Sequence, residues 1–240
     1  MRRLLVGSLL AIFALVASAE EPALVLNPEG GFAPRWQDFG IAFRFAAMTP
    51  KIGGARDVPG ALGGTSVLSP VKEWAGAGGA SARLDLCLVL HHGFLLSDEW
   101  LAAARVHVSN PAARPFSTTL AVALTPTGAV DVLAFEKHAF LIAGRPVLIA
   151  DTPSHGAILA DSPFAARPLS PQDQVHVESA KGECRGEIIF DLTLAPGQSQ
   201  TLGFVCPLGQ GTSTAKDVDF YRALSVDDLF AEAEKQRAAH

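Results

Sequence analysis

The chain has 240 residues, 49% of them hydrophobic, with 19 Lys+Arg against 24 Asp+Glu and a formal net charge of −5 at pH 7. This supplies enough apolar side chain for the core of one large domain and requires no second one. The acidic balance argues against nucleic acid or an anionic lipid surface as the main partner.

Met1-Arg2-Arg3 is a short basic start, Leu4 to Val16 is almost wholly apolar, and Ala17-Ser18-Ala19 has the small-residue form of a cleavage site. Residues 1–19 read as a secretory signal peptide; the alternative, an uncleaved anchor, is disfavoured because the apolar run falls short of the ~20 residues of a spanning helix. No cysteine follows the cleavage site, so nothing suggests lipid attachment. The expected location is periplasmic or secreted, with no membrane partner after cleavage and a further loss of the positive charges of Arg2 and Arg3.

The main domain is expected over residues 20–215 and a helical segment over 216–240. Ala23 to Leu26 is a short apolar piece before a turn-rich patch at 27–35. Phe39, Ile41, Phe43 and Phe45 then share one side of a strand, with Arg44 on the other. Residues 50–81 are dense in Gly and Pro and lack an apolar period, which predicts a long loop with one short strand near Thr65–Leu68. From Ala82 the alternation resumes, with Leu84, Leu86, Leu88 and Leu90 set against Arg83, Asp85, Cys87 and Val89.

The stretch Arg105 to Leu124, RVHVSNPAARPFSTTLAVAL, reads as a half-buried antiparallel hairpin. Val106 and Val108 alternate on one strand, Leu120, Val122 and Leu124 on the next, and Asn110-Pro111 and Arg114-Pro115 break the ladder between them. Further strands are predicted at 129–135, 138–142, 147–150, 157–160, 175–178, 187–194 and 200–206. Around ten to a dozen short strands without intervening helices predict an all-β fold, an antiparallel β-sandwich or a barrel.

The helical period appears only at the end. Val218, Phe220 to Leu224, Val226, Leu229, Phe230 and Ala233 form an amphipathic helix broken near Ser225, a candidate N-cap followed by Asp227-Asp228 in the first turn. Of the three cysteines, Cys184 and Cys206 bracket an expected hairpin at Ala195–Gln198. Its register, Leu194 opposite Leu202, would set Cys206 against Phe190 and too far from Cys184 for a bridge. One disulfide and three buried thiols both remain open among Cys87, Cys184 and Cys206.

A sandwich of this size, a segment such as RVHVSNPAARPFSTTLAVAL and a tail of the form YRALSVDDLFAEAEKQRAAH together resemble the N-terminal supersandwich and linker helix of six-hairpin glycosidases and related glycoside phosphorylases. The resemblance covers roughly residues 82–240 and rests on diffuse patterns. It implies a supersandwich-like domain associated with carbohydrate. In that family an (α/α)6 toroid follows the linker and holds the catalytic acid and base. These 240 residues contain no counterpart of it, so no catalytic residue carries over.

The chemistry of the residues themselves is consistent with that. The acids Asp85, Asp98, Glu99, Asp131, Asp151, Asp161 and Asp191 are scattered over separate elements and are expected to be solvated, with no pair singled out for glycosidase work. His91, His92, His107, His138, His155 and His176 lack metal-ligand spacing, so no metal or cofactor is expected. Asp151-Thr152-Pro153-Ser154-His155-Gly156 groups serine, histidine and aspartate but lacks a nucleophile elbow and reads as a turn. Gly76–Ala80 lacks the Lys and Ser/Thr of a phosphate loop.

Sugar binding needs flat rings beside hydrogen-bonding groups. Trp36, Trp74 and Trp100 lie in or beside expected loops with Arg35, Asp38, Glu73 and Glu99 next to them, and these seven are the candidate ligand residues. The alternative for each tryptophan is a plug at one end of the sandwich. The expected function is a non-catalytic carbohydrate-recognition module or one serving a glycoside-processing partner protein. A small sugar hydrolase or mutarotase-like enzyme is a second possibility, and a structural domain self-associating through its helix a third.

Overall fold

The computed structural model describes residues 23–27, 30–35, 37–51, 62–92, 98–162, 170–209 and 214–239. The expected signal peptide and the candidate Trp36 lie outside the described residues. In chain order the strands are β1 (Ala23–Asn27), β2 (Gly31–Pro34), β3 (Phe39–Phe45), β4 (Met48–Pro50), β5 (Leu62–Gly63) and β6 (Ser66–Gly76). There follow β7 (Ser81–His92), β8 (Asp98–Ser109), β9 (Phe116–Pro126), β10 (Val132–Glu136) and β11 (Ala139–Ile142). The last are β12 (Arg145–Ala150), β13 (Gly156–Ala160), β14 (Val175–Glu178), β15 (Arg185–Leu194) and β16 (Ser199–Pro207), before helices α1 (Val218–Ala223) and α2 (Val226–Ala238).

These strands form two antiparallel sheets. The first has the order β13-β15-β9-β3-β2-β1-β5 and the second β14-β10-β11-β12-β16-β8-β7-β6-β4. Period 2 decides what each sheet turns inward: Phe39, Ile41, Phe43 and Phe45 of β3 are buried while Arg44 is exposed. Across the interior, Phe43 and Phe190 of the first sheet meet Phe204 of the second edge-on at 5.3 and 5.6 Å, and Phe45 meets Trp74 at 5.2 Å. The two sheets therefore share one apolar core.

The second sheet is not half-buried, as alternation alone would suggest. Leu84, Leu86 and Leu88 of β7 face the shared core. The opposite face, with Cys87 and Val89 of β7 and Leu101 and Ala103 of β8, packs under Val226, Leu229, Phe230 and Ala233 of α2 and Val218 and Tyr221 of α1. The apolar face of the terminal helices is thus spent against the chain's own sheet. The predicted break is found: Ser225 Oγ accepts the Asp228 amide at 3.3 Å, capping α2 with two carboxylates in its first turn.

That covered face contains a charge. Asp85 is 0% exposed, contrary to its expected solvation, because its strand position faces α2. Its carboxylate accepts from Ser69 Oγ at 2.6 Å, lies 3.3 Å from the Arg83 guanidinium and 3.4 Å from that of Arg105. Arg105 also reaches Asp227 of α2 at 2.6 Å and lies 4.4 Å from the centroid of the Phe230 ring. A buried carboxylate is tolerated only when paired and hydrogen-bonded, and here the pairing also pins the helix.

Two expected hairpins are corrected. Arg105–Leu124 does contain two strands, but β8 belongs to the second sheet and β9 to the first. Likewise β15 and β16, expected to pair across Ala195–Gln198, lie in different sheets, with β15 on β9 and β16 on β8. Both crossings meet at Asn110, which is 1% exposed. Its side-chain amide donates to the carbonyls of Arg114, Leu194 and Ala195 at 2.9–3.2 Å, and its main chain bonds with Gly197 and Gln198. Sequence alternation cannot distinguish a hairpin turn from a corner where the chain changes sheets, since both flanks have the same period.

The long loop expected over 50–81 is corrected in its second part, where β6 runs for 11 residues and pairs with β7 through a glycine turn, Gly78 and Gly79 having φ of 68° and 85°. Its ladder is interrupted at Pro70, which has no N–H to donate: Leu68 stands opposite Leu86 and Lys72 opposite Leu84, so four positions on one strand span two on the other. That bulge destroys the period the eye looks for, and it brings Ser69 to Asp85. Residues 52–61 lie outside the described residues.

Cys206 stands opposite Ala102, not Phe190, and all three cysteines are free and buried. Burial pushes the Cys87 thiol up to about 12 and also raises Cys184 and Cys206, which leaves them protonated and unreactive.

Two outcomes are expected. A native-state thiol titration with a disulfide reagent should find no reacting cysteine until denaturant is added; rapid labelling would contradict the burial. Arg105→Ala leaves the Asp85 carboxylate with only a half-exposed arginine and a hydroxyl, and urea denaturation should show a loss of about 3–5 kcal/mol.

Candidate functional site

The last residues of β7 and the first of β8 lie side by side, Leu90 opposite Trp100, His91 opposite Glu99 and His92 opposite Asp98. Alternation therefore sends Trp100 and His92 to one face and Glu99 and His91 to the other. Beside these strand ends, a cleft of about 570 Å³ is lined by Thr65, Leu90, His92, Trp100, Gln236 and Arg237. Gln236 holds the end of α2 against the strand: its Nε2 donates to the Leu90 carbonyl at 2.7 Å, and its Oε1 accepts from the Leu90 amide at 3.3 Å and from Thr65 Oγ1 at 3.0 Å. His92 Nδ1 is 2.6 Å from Asp98 Oδ1, and this hydrogen bond raises the histidine above its usual 6.5. Trp100 is half-buried, with part of its indole packed on the core.

On the opposite face, Tyr221 OH donates to Glu99 Oε2 at 2.7 Å, and His91 Nδ1 is 3.0 Å from Glu232 Oε2. Burial raises the Glu99 carboxyl above its usual 4.5, opposed by the tyrosine hydroxyl and by His91. Glu99 and His91 thus face α1 and α2 respectively.

A second cleft, about 340 Å³, opens where β3, β12 and the end of β16 meet. Phe39, Val130 and Ile142 line it with Gln37, Asp38 and Arg145. Arg145 donates to the Gly209 carbonyl at 3.0 Å and Gln37 to that of Pro207 at 3.4 Å. A third, about 260 Å³, includes Ser154, His155 and Asp191. Here Ser154 Oγ lies 3.1 Å from His138 Nδ1, whereas His155 is the histidine 3.6 Å from Asp191. Serine and aspartate thus contact different histidines, and among the described residues of this cleft no relay links the three types. Burial and Arg222 lower His138.

The seven sequence candidates do not converge. Trp74 is 1% exposed and packs on Phe45, so its ring is unavailable for stacking; β6, not a loop, places it in the core. Glu73 pairs with Lys51 at 3.6 Å, opposite Arg83 on β7, while Trp100 is opposite Leu90; at ~3.3 Å per residue the two are roughly 23 Å apart along the strand. Arg35 is exposed at the end of β2, and Asp38 lines the second cleft. Glu99 faces away from Trp100. His92, Thr65 and Arg237, which complete the Trp100 cleft, come from three distant segments and give no joint signal in sequence.

Among the described residues no three His, Cys, Asp or Glu side chains gather as metal ligands, and no helix is long and apolar enough to cross a membrane.

The fold and clefts define a mostly β protein of two antiparallel sheets with open clefts at strand ends. No protein-family model matches the chain, and no curated protein matches it. Among solved structures it is similar to one described as a kojibiose phosphorylase from human microbiome, at 10% identity over 88% of this chain, with a TM-score of 0.33. The chain spans 34% of that protein's length.

Because Glu99 is raised in the folded state, folding favours its protonated form. The stability it contributes grows as pH falls through that raised value and is complete below 4.5. Glu99→Gln, which keeps an acceptor for Tyr221, should raise the Tm at pH 7 and shrink the gain between pH 7 and 4.5. Parallel Tm–pH curves for the two proteins would contradict this.

Proposed function

We propose that residues 20–215 form a β-sandwich of the supersandwich type, followed by a linker-like helical segment at 216–240, in a secreted or periplasmic protein whose signal peptide is residues 1–19. Its role is non-catalytic: it recognises carbohydrate, alone or for a glycoside-processing partner. The supports are the sequence resemblance of residues 82–240, two sheets closing one core, and α1 and α2 docked on the second sheet.

One observation carries the carbohydrate part. Trp100 offers a partly exposed ring in a cleft with His92, Thr65 and Arg237, the combination of apolar face and hydrogen-bonding rim that a pyranose needs. Of the three tryptophans it is the one with both a cleft and polar neighbours among the described residues.

An enzyme reading has one observation in its favour, the placement of Glu99 directly opposite His91 on neighbouring strands. Both face the helices, Glu99 bonded to Tyr221 of α1 and His91 to Glu232 of α2, and neither lines the Trp100 cleft. Self-association through α2 is opposed by the burial of Val226, Leu229, Phe230 and Ala233 within the chain.

Calorimetric titration of residues 20–240 against a panel of neutral and acidic oligosaccharides tests the proposal. Saturable binding should appear for at least one member and weaken by about tenfold or more, 1.4 kcal/mol, in Trp100→Ala. Heats absent across the panel, or unaltered in the variant, would overturn it.

A further inference from the structure

The Trp100 cleft is unequal in what it can offer a ligand. Gln236 is fully engaged, its oxygen accepting two hydrogen bonds and its nitrogen donating to Leu90 and, at 3.3 Å, to Glu232. The Thr65 hydroxyl has its proton on Gln236. Among the described residues, what remains unpaired is the Arg237 guanidinium and the Trp100 indole N–H, both donors, beside a His92 ring whose Nδ1 is held by Asp98. Spare donors suit a ligand with acceptors to offer, and a guanidinium favours a planar anionic group that can take two parallel hydrogen bonds.

Charge decides between a neutral and an anionic partner. Arg237 lies in the last turn of α2, whose terminus carries roughly half a unit of negative charge. The full charge of Arg237 outweighs it, and of the carboxylates nearby Asp98 is engaged by His92 and Glu232 by His91 and Gln236. Among the described lining residues Arg237 is therefore the cation left for a ligand's negative charge, in a chain whose net charge is −5. Lys235, in the same turn, does not line the cleft, so this positive character belongs to one side chain that can be removed without touching the core.

We infer that the cleft takes an acidic sugar, a ring stacked on Trp100 with its carboxylate on Arg237. This rests on the carbohydrate reading above and narrows it to uronic acids and their oligomers.

The test compares the neutral and carboxylated forms of the same oligosaccharide, oligogalactose and oligogalacturonate, by calorimetry at low and moderate salt. The acidic form should bind at least tenfold tighter. Arg237→Gln should abolish that preference, with Arg237→Lys restoring it only in part because a point charge lacks the planar fork. Because Arg237 is exposed, both variants should keep the parent Tm. Equal affinity for the two forms would overturn the inference and leave the carbohydrate reading standing. A preference that survives Arg237→Gln would also overturn it. Binding of neither form would bring down the inference, and binding of nothing on the wider panel the reading beneath it.

Discussion

A carboxylate with no access to water stands on the helix-covered face of the second sheet, and the architecture around it follows from how it is satisfied. Asp85 is held by Ser69, Arg83 and Arg105. Arg105 passes the interaction on, to Asp227 at the start of α2 and to the face of Phe230 one turn later. Without the helix, Cys87, Val89, Leu101 and Ala103 would meet solvent, and so would a charged cluster built for low dielectric. An ion pair of this kind adds little net stability over a well-packed apolar substitute. Its effect is to define position, since Arg105 lies between Asp85 and Asp227 only when α2 is correctly seated.

The helix then positions the cleft. Gln236 lies near the C-terminal end of the same α2, and it bonds to both main-chain groups of Leu90. One end of the helix is thus fixed by charge and the other by an amide that mimics a neighbouring strand. Trp100, His92 and Arg237 come together because two distant fastenings align a helix with the ends of β7 and β8. The cleft is a product of that docking, and no single segment contains it.

Much of the fold was legible from periodicity. β3, β7, β14 and the α1–α2 break at Ser225 follow from residues a few positions apart, because local alternation and capping operate at that range. What was not legible depends on two-residue decisions with long-range consequences. Pro70 introduces a bulge that hides β6, and Asn110 marks a corner that looks like a turn. Leu84 to Leu90 correctly announced one buried face, but nothing in β7 says that the other face is covered by residues 226–233. The candidate site shows the same limit. Trp100 could be suspected from its residue type, while Trp74, equally suspicious in sequence, was removed to the core by a strand whose period was masked.

The two sheet-crossing corners that meet at Asn110 also order events in time. β8 pairs early with its neighbour β7, but its other edge waits for β16, and β9 waits likewise for β15. A chain made or threaded from its N-terminal end therefore carries two long, apolar strands with open edges until nearly all of it has emerged. Such topologies fold slowly and invite strand pairing with other molecules in the interval. Asn110 closes that interval: its amide can bond Arg114 within its own corner, but its bonds to Leu194 and Ala195 form only when the β15–β16 corner arrives, so the last crossing to form is also the one that locks the first.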